Sequence, residues 1–196
     1  MIRSTENRYG KTLYTIFPGD YFATGDDCIM GTVTGACACV CLYDSGRRIG
    51  GMGHFIVPGM IGTEGIFADD IARQGITSME YLIGEIVKIG GDRKYLKAKL
   101  FGVARLNSRL PNMDGVIQSN TRFLKEYFAL ERIPVETEDI GGAYRRQVLF
   151  YPAVGTAMRR YQRRNDDSSE FVRIEREYID TMFRDRPRYG KVYLFE

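Results

Sequence analysis

Between Ile29 and Gly59 the chain strings together three apolar runs of strand length with almost nothing between them. Ile29 to Val33 is followed by the small residues Thr34-Gly35-Ala36. Cys39 to Tyr43 gives way to the turn former Asp44-Ser45-Gly46, and Ile49 to Val57 stops at Pro58-Gly59. Short apolar runs punctuated in this way read as strands. The longest wholly apolar stretch, Ala36 to Tyr43, falls far short of the roughly 20 residues needed to cross a bilayer.

The rest of the chain mixes strands with helices. An opening strand, Ile16 to Ala23, is interrupted by Pro18-Gly19, and Asp26-Asp27 marks a turn. Asp70 to Lys88 has helical spacing, with Ile71, Gly75, Met79, Leu82, Ile83 and Ile86 on one face. Asp69 or Asp70 is placed to cap it and Gly90-Gly91 to end it. Leu96 to Ala104 alternates as a strand. A second helix is predicted from about Asn120, its N-cap, to Leu130, with Phe123, Leu124, Tyr127 and Phe128 inward. Ile133 to Glu138 reads as a strand closed by Gly141-Gly142, and Gln147 to Tyr151 with Ala157 to Gln162 as a hairpin. A third helix over 168–184 aligns Phe171, Ile174, Tyr178 and Met182, with Asp167 as N-cap and Glu170 three residues on. Its stripe predicts packing onto the body. The fold class is α+β: one domain over 1–196 of packed mixed β-sheets flanked by helices, with 164–196 as a C-terminal helical extension packed on it.

Composition narrows the function classes. With 44% hydrophobic and 27% charged residues the chain is globular. A net charge of +3 is too small to demand a nucleic-acid partner. Arg159, Arg160, Arg163 and Arg164 are followed at once by Asp166, Asp167 and Glu170, which reads as a solvated surface of mixed charge. Met1 to Lys11 is polar and has no apolar signal core, so a cytoplasmic location without membrane insertion is expected. Four cysteines are then no disulfide framework. Cys37, Cys39 and Cys41 alternate, which on a strand puts all three on one face. Their spacing does not match a zinc knuckle, so most of these thiols read as small buried hydrophobes, and no cofactor or metal is expected.

His54 is the only histidine. Any mechanism that needs an imidazole must use it. Paired with Cys37, it would take the thiol proton and hold a thiolate–imidazolium pair. The bend Thr34-Gly35-Ala36 would expose the sulfur and aim backbone N–H groups at an oxyanion. Unaided, a lone cysteine and a lone histidine are more often structural than catalytic.

The local sequences shift that balance. Thr32-Val33-Thr34-Gly35-Ala36-Cys37, continuing to Asp44, resembles the T-L-L-G-S-C-V-A-V-C-L-Y-D motif of the CheD family. Gly50-Gly51-Met52-Gly53-His54-Phe55-Ile56-Val57-Pro58 resembles its G-G-M-x-H-F-x-L-P segment. The resemblance covers nearly the whole chain: Phe17 to Tyr21, Tyr81 to Gly102, Asp139 to Gly142 and Val148 to Phe150 are similar to family segments in the same order. Glu175 to Tyr178 and Val192 to Phe195 resemble the longer members.

That resemblance implies a cysteine hydrolase that converts glutamine side chains of chemoreceptors into glutamate through a thioester. Cys37 matches the nucleophile, His54 the base, and Thr32 the residue that orients the histidine, with Thr34 close enough to compete for that place. The implied partners are the cytoplasmic helices of chemoreceptors and a CheC-type phosphatase. A glutamine protruding from a receptor helix would need Cys37 in a shallow, open groove. The chain departs from the pattern at Ala36 (a serine in the family) and at Val103, Gln118 and Arg145, all glycines there, which implies reshaped loops. Asn120 falls on a family asparagine. The competing readings are an adaptor that binds receptors with little turnover, and a redox or metal protein built on Cys37, Cys39 and Cys41.

Overall fold

The computed structural model describes residues 2–4, 10–63, 65–106, 113–162 and 170–184. In chain order the elements are β1 (Ile2–Ser4), β2 (Leu13–Thr15), β3 (Tyr21–Thr24), β4 (Ile29–Thr34), β5 (Ala38–Asp44), β6 (Ile49–Phe55), α1 (Arg73–Lys88), β7 (Lys97–Gly102), α2 (Met113–Leu130), β8 (Val135–Ile140), β9 (Arg146–Tyr151), β10 (Thr156–Tyr161) and α3 (Glu170–Arg184). Two mixed five-stranded sheets result, ordered β1-β2-β4-β9-β10 and β3-β6-β5-β7-β8. In each, one pair is parallel: β2 with β4, and β7 with β8. The α+β expectation holds.

The three apolar runs become β4, β5 and β6, and every residue in them is buried. Burial on both faces explains why they are continuously apolar rather than alternating. Cys39, Cys41 and Tyr43 point from β5 into a core shared with Met30 and Met52 and with Val148 and Phe150 of β9. Val40 and Leu42 point the other way, into the larger core closed by Met79, Leu82, Ile83 and Ile86 of α1 and Phe123, Leu124, Tyr127 and Phe128 of α2.

Several boundaries differ from the sequence reading, each for a physical reason. The opening run does not form one strand. Only its end is strand, as β3 in the second sheet; β2 lies ahead of Ile16 in the first sheet, and Pro18, which cannot donate to a ladder, falls where the chain crosses between them. Helix α2 begins at Met113 rather than near Asn120. Gly115, Val116 and Ile117 are poor helix formers, yet the burial of Val116 and Ile117 against the core overrides propensity. Asn120 is therefore not an N-cap. It lies mid-helix, buried, with Oδ1 accepting from Val57 N–H at 2.8 Å and Nδ2 donating to the Val57 and Val116 carbonyls, each at 2.9 Å. Asp69 stays ahead of α1, accepting from Ile71 and Ala72 N–H. The expected cap Asp167 and the closing segment Val192 to Phe195 lie outside the described residues. No helix among the described residues is long and apolar enough to cross a membrane.

Candidate active site

The site is built where the two sheets meet. Strand β4 ends at Thr34, the chain bends through Gly35, Ala36 and Cys37, and β5 starts at Ala38. Hydrogen bonds fix this bend from several sides. Thr34 Oγ1 donates to the Cys37 carbonyl at 2.7 Å, Val103 N–H reaches the same oxygen at 2.9 Å, and Ala104 N–H reaches the Gly35 carbonyl at 2.7 Å. Gly102 makes the close approach possible. Its φ of +94° suits glycine, and a Cβ there would overlap the Cys37 carbonyl oxygen.

The bend separates Cys37 from the other thiols. Because Cys37 precedes β5, the alternation of the strand does not reach it. It packs with the helix-side core, whereas Cys39 and Cys41 face the space between the sheets. The three cysteines therefore do not share the one face expected of them, and the competing reading of a metal or redox trio loses its premise. All four cysteines are free.

His54 stands on β6, opposite Cys39 of β5 in the ladder. Its backbone is held by Gly19 N–H, which donates to the His54 carbonyl at 2.7 Å, and by the Asp20 carbonyl, which accepts from His54 N–H at 3.0 Å. Thr32, in the other sheet, places Oγ1 3.0 Å from His54 Nδ1, and the same hydroxyl donates to the Ile16 carbonyl at 2.6 Å. One hydroxyl has one proton. With that proton given to Ile16, Oγ1 can only accept, so Nδ1 carries a hydrogen, and in the neutral ring Nε2 is left with the lone pair. Thr32 is thus the threonine beside the histidine, while Thr34 serves the bend. Nε2 is buried without a hydrogen-bond partner among the described residues.

A third side chain completes the cluster, and it comes from α3. Glu175 Oε1 accepts from Gly35 N–H at 2.8 Å and Cys37 N–H at 3.2 Å, and lies 3.8 Å from His54 Nε2. Ligand-type atoms of Cys37, His54 and Glu175 all fall within 4.8 Å of one another. Among the described residues this is the one group of three potential metal ligands, a donor set that suits zinc. The sequence marked Glu175 only as the start of a segment similar to the longer family members and gave it no role in the site. The signal was its place four residues after Phe171 and three before Tyr178, on the side the helix turns inward.

Burial and charge set the ionisation of the cluster. Desolvation is the larger reason that the Cys37 thiol sits well above its ordinary range, and the negative charge of Glu175 adds to it. Desolvation is also the largest influence on Glu175 and pushes its pKa up. The charge of the His54 ring in its protonated form and the N–H groups of Gly35 and Cys37 together outweigh it and hold the carboxyl below the usual range. Cys37 is 0% exposed. The expected shallow, open groove is not found, because α3 lies over the sulfur.

The family departures also have places. Val103 takes a left-handed φ of +51°, which costs a β-branched residue about 1–2 kcal/mol, while its N–H holds the Cys37 carbonyl. Arg145 puts Nε 4.0 Å from Glu175 Oε2. Gln118 is on α2 rather than in a loop, and lines a groove of about 780 Å³ with Arg105, Arg122 and Lys125, away from Cys37.

The family model described as CheD chemotactic sensory transduction matches residues 63–161. A protein of Saccharophagus degradans, named a probable chemoreceptor glutamine deamidase CheD, is 32% identical over 98% of this chain and 89% of its own length. The chain belongs to the CheD family. A protein of Shewanella oneidensis, named a probable chemoreceptor glutamine deamidase CheD 1, is 36% identical over 78% of this chain and 74% of its own length. A CheD of Burkholderia orbicola (strain MC0-3) is 35% identical over 80% of this chain, and the match spans 63% of that longer protein.

Proposed function

We propose that this CheD-family chain is a chemoreceptor glutamine deamidase acting through Cys37, with His54 as base and Thr32 as its positioning residue. The observation that carries the reading is the hydrogen-bond chain from Ile16 through Thr32 to His54 Nδ1, which leaves Nε2 as the proton acceptor on a ring that has a nitrogen within 4.8 Å of Cys37 Sγ.

In this mechanism Nε2 takes the thiol proton and the thiolate attacks the δ-carbon of a receptor glutamine. The N–H groups of Gly35 and Cys37, which converge on one oxygen, receive the oxyanion. His54 returns the proton to nitrogen, the C–N bond breaks and ammonia leaves, giving a thioester. Nε2 then draws a proton from water, whose oxygen cleaves the thioester. Glutamate is released and the thiol restored. One water is consumed for each ammonia formed.

The reaction partner is the helical cytoplasmic part of a chemoreceptor, met in the cytoplasm, and a CheC-type phosphatase is the second proposed partner. The complete burial of Cys37 favours one rival, an adaptor that binds receptor without turnover. Incubating the protein with a receptor cytoplasmic fragment separates the two. The deamidase reading requires ammonia release and a gain of about one mass unit per target glutamine, both abolished in Cys37→Ala. Binding without ammonia release would leave only the adaptor.

A further inference from the structure

Helix α3 enters the site by one carboxylate. Glu175 is 3% exposed, although Arg173, Arg176 and Glu177 beside it face solvent. A carboxylate is not buried without partners, and the partners of Glu175 are the site itself. Oε1 sits on the Gly35 and Cys37 N–H groups with the imidazole beyond, and Oε2 faces Arg145. Gly35 makes the room, since a Cβ there would stand 2.6 Å from Oε2.

Two rings hold this helix in register. Phe171 stacks on Phe17 with centroids 5.3 Å apart, and the ring of Tyr178 lies against Gly19. Residues i−4 and i+3 share a helix face with residue i, so one face of α3 presents ring, carboxylate and ring. Phe17 and Gly19 belong to the crossover whose Gly19 N–H binds the His54 carbonyl. The helix therefore spans the mouth of the site with its carboxylate at the nucleophile. A glutamate on a helix, with one oxygen on the oxyanion donors, is what deamidation of a helical glutamine would leave behind.

We propose that α3 is an internal product mimic: it fills the groove in which a receptor helix docks its target glutamine, and substrate binds only after α3 has left. This rests on the deamidase reading for the identity of the competing helix, but not for the placement of Glu175. While seated, α3 shuts Cys37 from solvent and its carboxylate helps to keep the thiol protonated. Departure removes both restraints and frees the two N–H donors.

The full-length Glu175→Gln variant tests the idea directly, because it offers the enzyme its own substrate. The side chain is nearly isosteric, and two N–H donors at Oε1 require the amide oxygen there. Cys37 Sγ then bonds to the amide carbon, the C–N bond breaks, and ammonia departs with the proton from His54. Water cleaves the thioester to thiol and carboxylate. Peptide mass spectrometry should find position 175 as glutamate, about one mass unit above the encoded amide, and still as amide when Cys37→Ala is combined with it.

A second variant, Glu175→Ala, should act on a receptor cytoplasmic fragment with a lower KM. If α3 is seated about nine-tenths of the time, the gain is about tenfold. An amide persisting at position 175 with Cys37 intact overturns the proposal, as does an equal, measurable rate for Glu175→Ala and wild type. The two readings fail separately. Hydrolysis at position 175 with no action of either protein on receptor sinks the receptor assignment and keeps the mimic. Receptor hydrolysis by wild type with an intact amide at 175 does the reverse.

Discussion

Thr32 and His54 join the two sheets through one hydrogen bond, 3.0 Å from Oγ1 to Nδ1, and the direction of that bond is fixed by a third group, the Ile16 carbonyl 2.6 Å from the same oxygen. The threonine thereby selects the tautomer of the imidazole without touching the reacting atoms. Thr32→Val, which keeps the shape and removes the acceptor, should lower kcat about 10–100-fold with KM little changed, as loss of an orienting partner does elsewhere. Thr32→Ser should restore most of it. An equal loss in the serine variant, or a fall confined to KM, would show that Thr32 acts by packing alone.

Gly102 supports Cys37 from behind. A methyl group there meets the Cys37 carbonyl and Thr34 Oγ1 at a positive φ, so backbone strain and collision act together. Gly102→Ala should cost about 2 kcal/mol or more of stability. It should also slow turnover beyond what that loss explains, because relief of the clash displaces the bend. Urea unfolding alongside kcat below the transition checks both, and an unchanged kcat would mean that the bend absorbs the methyl group elsewhere.

Local signals made much of the site legible. The bend at Gly35, the nucleophile candidate Cys37 and the lone His54 lie within one stretch of three strands, joined by a crossover bend and a hairpin, where glycine placement and apolar runs define the geometry. Helical periodicity placed α1 and the latter part of α2. Glu175 was hidden because its contacts with Gly35 and Cys37 span 140 and 138 residues, and nothing local marks an acid on an amphipathic helix as buried. The same long-range contact made the expected open groove wrong. The start of α2 was hidden for another reason: Gly115, Val116 and Ile117 are held helical by burial, not by preference.

Asn120 shows how far such a tertiary contact can reach. Its amide satisfies both backbone groups of Val57, just past the strand that carries His54, and returns to its own helix at Val116. Asn120→Ala would leave the buried Val57 N–H unpaired, at about 1–3 kcal/mol, and would strip one of two donors from the Val57 carbonyl, which keeps Gly59 N–H. A loss of about 3 kcal/mol in total is expected, with Asn120→Asp also poorly tolerated because the carboxylate cannot donate to the carbonyls. A drop below about 1 kcal/mol in chemical denaturation would show that water replaces the amide.

Asp44 gives the fold a defined response to acid. Its side chain is buried and closes the β5–β6 turn: Oδ1 accepts from Arg47 N–H at 3.2 Å, and Oδ2 accepts from Arg47 Nη1 at 2.9 Å and Asp92 N–H at 3.2 Å. Desolvation is the largest influence and raises its pKa, yet the bonds from Arg47 and Asp92 together prevail, and the carboxyl lies below its ordinary 3.8. A group depressed on folding adds stability above its unfolded pKa, and that stability is lost as pH falls through the folded value. Asp44→Asn should therefore be about 1–2 kcal/mol less stable than wild type near neutrality. The gap should stay constant down to about pH 4, where the unfolded carboxyl begins to take up protons, and narrow below it. Urea midpoints of the two proteins at pH 7, 5, 4 and 3 measure that gap. A difference that persisted undiminished at pH 3 would assign the loss to packing in the turn rather than to the charge of Asp44.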